Sequence, residues 1–272
     1  RVRGVVNAVS GLGIFFSEEN RSVISKILPK VLRFSHHRSN LAVIFQNGED
    51  KFLFRKHHII REEQAYMIKG SGVNLQQFCY TPEPENGKIR VLLTARMIIE
   101  KGIFILTDAA IKLKEKYRYK VQFLLCGGLD DNPKAIKEED LKRVCDGEYI
   151  QWLGYRTDVL SLLKDCHIVA FPSYYKEGLP KSLIEATAVG RPIITTDSIG
   201  CKETVIEGYN GYLIPVQDSE TLADRLEILI EDKALRQKMG KNSRCLAEKD
   251  FSIENVIAKH LEIYEILMTG NL

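Results

Sequence analysis

From about Lys88 onward, short apolar runs alternate with longer stretches of helical spacing. KIRVLLTA (88–95), KVQFLLCG (120–127), YIQWL (149–153), HIVAFPS (167–173), PIITT (192–196) and GYLIPV (211–216) are apolar or β-branched, and read as buried strands of a parallel sheet. Helical spacing between them predicts helices over about 102–117, 136–145 and 156–165, and through KSLIEATAVG (181–190) as far as Gly190. Strand and helix in this rhythm predict an α/β fold, a doubly wound parallel sheet with right-handed crossovers. Helices dominate from about 219, where SETLADRLEIL opens on a serine cap.

The first 80 residues follow a similar rule on a smaller scale. VVNAV (5–9) and LAVIFQN (41–47) read as strands, 18–38 mainly as a helix, and EDKFLFRK as a short helix. QAYMIKGSGVN (64–74) reads as a strand ending in a glycine turn. TPEPENG (81–87) has two prolines, a glycine and no apolar period, and reads as a linker. The expected organisation is a partial N-terminal α/β domain over 1–80, the linker 81–87, a second α/β domain over 88–250, and a helix over 251–272 that can cross back to the first domain. The first unit is expected to lack strands ahead of Val5, since a complete nucleotide-binding-type sheet needs several more.

Composition narrows the class without naming a reaction. At 44% hydrophobic and 28% charged, 272 residues suffice for two modest domains and a sizeable core. A net charge of +3 is too small to argue for nucleic acid. No apolar run approaches the ~18–20 residues of a membrane span, and no signal-peptide pattern opens the sequence. The cysteines (79, 126, 145, 166, 201, 245) form no CxxC and lie near no histidine at metal spacing, which fits a reducing cytoplasm.

The chemistry concentrates at Glu177–Glu185, EGLPKSLIE, which sets two carboxylates across a strand-to-helix turn. Pro180 suits the first helical position, because its φ is fixed there and its missing N–H is no loss. Glu177 then lies on the loop at a strand's carboxyl end and Glu185 about a turn and a half into the helix. Such crevices bind ligands in open α/β sheets, and free N–H groups at a helix start attract a diphosphate.

EGLPKSLIEA, with FPS before it and GRPIITTD (190–197) after it, resembles the E-x7-E signature of the retaining glycosyltransferase family 4, the group 1 transferases of GT-B fold. The resemblance implies two Rossmann-like domains with parallel sheets. It makes Glu177 the contact to the transferred sugar and Glu185 the contact to the nucleotide ribose. It sets Gly178, Leu179, Pro180 and Ser182 at the diphosphate. Thr94-Ala95-Arg96 with Glu100-Lys101-Gly102 resembles the family's G-R-L…K-G element, so Arg96 and Lys101 are expected to hold the donor diphosphate. Positioned cations there stabilise the charge that a departing nucleotide diphosphate gains. Gly70-Ser71-Gly72-Val73-Asn74 with Phe78 resembles the interdomain G-x-G-V-D-x-x-x-F segment. There Gly72 supplies a backbone conformation or close approach that a Cβ would block, or is an ordinary turn glycine. Cys126-Gly127-Gly128 and Trp152-Leu153-Gly154-Tyr155 match segments that border the nucleotide, with Gly128, Leu153 and Gly154 as backbone contacts and Trp152 in the core. Asn210-Gly211-Tyr212-Leu213 and Glu203 match scaffold positions.

Two departures bear on the acceptor. Many relatives carry a histidine at the end of an N-terminal strand, where this chain reads Val9-Ser10-Gly11-Leu12-Gly13, so no base is assigned. His36, His37, His57 and His58 sit in charged surroundings and are expected to be solvated, and His167 to be structural. Ser-Gly-Leu-Gly resembles the subset that builds O-antigen, capsule and other polyprenyl-linked saccharides, N-acetylgalactosaminyltransferases among them. In 21–38, Val23, Ile24, Ile27, Leu28, Val31 and Leu32 form one apolar stripe beside Arg21, Lys26, Lys30, Arg33 and Arg38. The stripe is expected to pack on the sheet with Pro29 bending the helix, the alternative being an interfacial helix on anionic lipid.

The resemblance thus implies a metal-independent, retaining transfer of a hexose or N-acetylhexosamine. It runs from a UDP-sugar, with no other cofactor, to a polyprenyl-diphosphate-linked saccharide, in surface polysaccharide synthesis. Nucleic acid is not a partner in this reading, and peripheral contact with the cytoplasmic membrane face is. The alternatives are a transferase acting on a sugar phosphate or glucan, and a nucleotide-binding module without turnover.

Overall fold

The computed structural model describes residues 2–12, 23–176 and 178–270. Two parallel sheets organise it. The first has the order β1-β2-β3, formed by β1 (Val5–Val9), β2 (Leu41–Phe45) and β3 (Ala65–Met67). Its register pairs Val5 with Leu41 and Phe45 with Met67. Helices α1 (Val23–His36) and α2 (Gly48–Lys56) connect its strands. β2 is buried along its whole length, as expected of the central strand of a parallel sheet covered on both faces.

The second sheet has the order β6-β5-β4-β7-β8-β9, and every neighbouring pair in it is parallel. Its strands are β4 (Ile89–Thr94), β5 (Val121–Cys126), β6 (Ile150–Trp152), β7 (Ile168–Phe171), β8 (Ile193–Thr196) and β9 (Gly211–Ile214). The intervening helices are α3 (Ile103–Tyr117), α4 (Glu138–Val144), α5 (Val159–Asp165) and α6 (Lys181–Val189). β4 lies at the centre, and Val91, Leu92 and Leu93 are fully buried there, each contributing about 1.5–3 kcal/mol. Three helices close the chain: α7 (Ser219–Glu231), α8 (Lys233–Leu246) and α9 (Ile253–Thr269).

The chain passes between the sheets twice, and the two passages pair. Val73 N–H donates to Phe251 O (2.8 Å) and Ile253 N–H to Val73 O (3.0 Å). Gly72 has φ of 72°, and a Cβ there would lie 2.9 Å from Ile253 Cα, so glycine is required by both conformation and space. Beyond this crossing, Val256, Ile263 and Leu267 of α9 pack with Ala42, Ile44 and Ile68 beside the first sheet.

Segment 81–84 is held by buried cations. Arg191 Nη2 donates to Thr81 O (2.9 Å) and Pro82 O (3.3 Å), and Arg236 pairs with Glu83 (2.8 Å), both side chains being about 95% buried. Arg90 N–H donates to His167 Nδ1 (3.1 Å), so Nε2 carries the proton given to Pro84 O (3.1 Å).

Three expectations need correction. The strand expected over 64–74 ends at Met67, because Gly70 and Gly72 at positive φ turn the chain toward α6 and α9. Pro180, at φ −63° and ψ 120°, is the residue before the helix rather than its first. His36 is buried rather than solvated. The last turn of α1 brings its Nε2 to Asn7 Nδ2 (3.2 Å), its Nδ1 to Leu32 O (2.8 Å) and its ring edge-on to Phe54. His37, His57 and His58 are exposed. Of the apolar stripe on α1, Leu32 packs on the first sheet's core, while Ile27 and Val31 are exposed.

Candidate active site

The carboxyl ends of β4, β5 and β6 are knitted into one floor. Ala95 N–H donates to Cys126 O (3.0 Å), Met97 N–H to Gly128 O (3.0 Å) and Gly127 N–H to Gly154 O (2.9 Å). Gly128, Leu153 and Gly154 therefore lie on adjacent loops of one sheet end. Trp152 donates its indole N–H to Gly127 O (2.9 Å) and is partly buried against the core, which makes it part of this floor. Arg96 follows β4, is 56% exposed, and is aimed by an ion pair to Asp130 (2.8 Å) on the loop after β5. No local pattern in the sequence links Asp130 to Arg96, which lies 34 residues before it.

Lys101 is buried at the end of a short turn, Ile99–Lys101. Its ammonium lies over the Tyr175 ring (4.7 Å) and the Phe171 ring (5.7 Å), both carried by β7 and the loop after it. Glu100 O joins that loop by accepting from Tyr174 N–H (2.9 Å) and Tyr175 N–H (3.1 Å). A cation held by ring faces is stabilised by their negative quadrupole, which offsets part of its desolvation.

Glu177 lies outside the described residues. Gly178 beside it touches the other half of the molecule. A Cβ there would collide with Ser10 O, at the end of β1, and sit 2.5 Å from Gln46 Oε1. Leu179 and Pro180 are buried, and α6 starts with no side-chain cap among the described residues. A helix start of this kind presents its first N–H groups, here at Lys181 and Ser182, in the geometry that suits an anion. Glu185 is half-buried on α6, and burial raises its carboxyl above the ordinary range against a small opposing pull from Lys181. Lys181 bonds to Gly72 O, which ties α6 to the passage between the sheets. Gly72 itself is packed against Ile253 and Val256 rather than gathered at the floor with Gly128 and Gly154.

On the opposite wall, Asn47 caps α2 by accepting from Asp50 N–H (2.8 Å) and donates Nδ2–H to Asp50 Oδ2 (2.9 Å). Asp50 also accepts from the backbone of Leu12, and burial pushes its carboxyl upward. This joins α2 to the Ser10–Leu12 loop that meets Gly178. The N-x-x-D spacing of Asn47 and Asp50 is a local signal of this cap in the sequence. Among the described residues, no three metal-binding side chains cluster.

Residues 81–245 match the model of the family described as glycosyl transferases group 1. The chain belongs to that family. A Campylobacter jejuni relative, N,N'-diacetylbacillosaminyl-diphospho-undecaprenol alpha-1,3-N-acetylgalactosaminyltransferase, is 31% identical across 94% of this chain and 69% of its own length. The capsular polysaccharide biosynthesis glycosyltransferase CapM of Staphylococcus aureus is 30% identical across 61% of this chain and 43% of its own. The structure of Anabaena HepE in complex with UDP superposes with a TM-score of 0.77 at 22% identity, over 95% of this chain and 72% of that one. The fold of this group 1 glycosyltransferase is GT-B. The family match runs from the clamped segment at Thr81 into α8, and so takes in the whole six-stranded sheet.

Proposed function

We propose that this chain transfers a hexose or N-acetylhexosamine, with retention, from a UDP-sugar to a polyprenyl-diphosphate-linked saccharide in surface polysaccharide synthesis. One observation carries the reading: two cations, Arg96 and the buried Lys101, stand at the carboxyl ends of neighbouring strands with a helix start that has no side-chain cap among the described residues. Breaking the bond between the anomeric carbon and the phosphate leaves negative charge on UDP. Arg96, Lys101 and the N–H groups of Lys181 and Ser182 stabilise that charge without a metal ion. The acceptor hydroxyl forms the new bond on the same face and gives its proton to the departing phosphate oxygen, so no protein nucleophile is needed. Glu185 accepts from the ribose diol, Gly128, Leu153 and Gly154 border the base, Glu177 orients the sugar, and Gly72 shapes the crossing behind α6. The UDP-bound Anabaena neighbour and the undecaprenol-dependent Campylobacter relative support the donor and acceptor classes.

The acceptor class also fits α1. Ile27, Val31 and Phe34 are exposed, Phe34 to 88%, beside Lys30 and Arg33. An apolar and basic face of this kind suits peripheral contact with the anionic, cytoplasmic leaflet that presents the lipid. No helix among the described residues is long and apolar enough to cross a membrane.

The test is transfer from a panel of UDP-sugars, UDP-N-acetylgalactosamine included, to undecaprenyl-diphosphate-linked N,N'-diacetylbacillosamine. Glucose 1-phosphate and a glucan serve as competing acceptors. Lys101→Ala is expected to lower the rate at least about tenfold, and Glu185→Ala to weaken UDP binding by a similar factor. Unchanged transfer in both variants would sink the site, and transfer only to the phosphate or glucan would sink the acceptor class.

A further inference from the structure

Glu49 and Lys202 meet across the cleft, although 152 residues separate them in the chain. Glu49 lies in the first turn of α2, in the three-stranded half, and Lys202 on the short turn after β8. Lys202 Nζ is 2.6 Å from Glu49 Oε1 and 3.9 Å from Asp197 Oδ1. The carboxylate of Glu49 is turned inward. Its side chain is 43% exposed, yet Oε2 is buried and has no hydrogen-bond partner among the described residues. A buried carboxylate oxygen without a donor is an unfavourable arrangement that a bound hydroxyl or amide N–H would relieve.

The sheet order says which substrate can supply that donor. The donor-side groups stand at the ends of β6, β5 and β4, and on α6 after β7. Lys202 follows β8, two strands from β4, or about 10 Å further along the sheet end at the usual strand spacing. A nucleotide lying over β6 to β4 brings its sugar toward β7, and leaves the β8 flank to the second substrate. Gly178, between the two, already touches Ser10 and Gln46 of the wall that carries Glu49.

We propose that Glu49 is an acceptor-binding residue: Lys202 pins one carboxylate oxygen from the opposite half, and the other accepts a hydroxyl of the incoming saccharide. This rests on the transfer reading above. Closure of the two halves and capture of the acceptor are then one event, because the pair forms only when both walls meet.

The test is steady-state transfer by Glu49→Ala, Glu49→Gln and Lys202→Met, with UDP-N-acetylgalactosamine as donor and undecaprenyl-diphosphate-linked N,N'-diacetylbacillosamine as acceptor. Donor hydrolysis without acceptor and UDP affinity by calorimetry are measured alongside. Glu49→Ala is expected to raise acceptor KM at least about tenfold, the worth of one charge-assisted hydrogen bond. Donor KM, UDP affinity and donor hydrolysis stay at the parent values. Glu49→Gln, which keeps an oxygen and a matching shape, recovers part of the loss, and Lys202→Met gives a smaller rise. An acceptor KM unchanged in Glu49→Ala overturns the inference while transfer by the parent protein upholds the reading. Equal losses in Glu49→Ala and Lys202→Met that fall on donor KM as well would make the pair a simple brace and also overturn it. A parent protein that binds no UDP and transfers nothing overturns both.

Discussion

At the scale of single residues, Gly178 is a position where the two halves meet too closely for a side chain. Alanine there would drive a methyl group into Ser10 O and crowd Gln46 Oε1; the glutamine side chain can swing aside, but the Ser10 backbone cannot. Gly178→Ala is therefore expected to cost about 1–3 kcal/mol as an overpacked site and to cut transfer sharply. Kinetics beside a melting curve would check it, and a variant of parental activity would show that the approach is not needed. The sequence exposed this residue through its spacing from Pro180 and Glu185, but only the folded chain reveals what it touches. His36 marks the limit of such reading. It stands in a charged stretch, and one helical turn decides that it faces Asn7 and Phe54. Lys202 and Glu49 show the same limit more plainly. Pairs this far apart leave no local pattern, whereas Asn47 and Asp50, three apart, do.

Elements were more legible than partners. The strands of the larger sheet lie within a residue or two of the apolar runs, because a strand buried on both faces must be apolar throughout. What periodicity could not show is how TPEPENG is held. Its prolines and acidic residues suggest a loose connection, yet Glu83 is paired with Arg236 in the interior and Pro84 O accepts from His167. His167 is kept neutral by this arrangement. Burial is the largest cause of its lowered pKa; Glu83 pulls the other way, Arg236 and Arg191 also disfavour a second proton, and the bond to Pro84 O favours one. The unfolded chain takes up that proton near pH 6.5, before the folded chain does. Stability is therefore intact above that pH and falls as the pH drops below it. Urea melts between pH 7.5 and 5.5 should show a smaller loss in His167→Gln, which can accept from Arg90 and donate to Pro84 without titrating. Equal losses in the two proteins would remove His167 from the acid response.

For the whole molecule, the decisive feature is that the last helix serves the first sheet. After α8 the chain crosses beside Val73 and lays Val256, Ile263 and Leu267 against Ala42, Ile44 and Ile68. Among the described residues the small sheet has three strands, and part of its hydrophobic cover comes from a helix that follows the whole larger-sheet half. Its stability is then separable from that of the larger sheet, whose core from Val91 to Met239 holds no residue of α9. Ile263→Ala removes a buried side chain and should cost about 2–5 kcal/mol, but locally. Hydrogen exchange is expected to quicken in β1, β2 and β3 and to stay slow in β4, β5 and β7. In the proposed reading UDP is held by the larger sheet and α6, so UDP affinity should be retained. Transfer should fall, because Ser10, Gln46 and Glu49 reach the cleft only if the small sheet holds them there. Faster exchange in both sheets together, or a loss of UDP affinity equal to the loss of transfer, would mean that the halves unfold as one unit. The passage beside Val73 would then be a rigid weld, and not the place where the two walls part and meet.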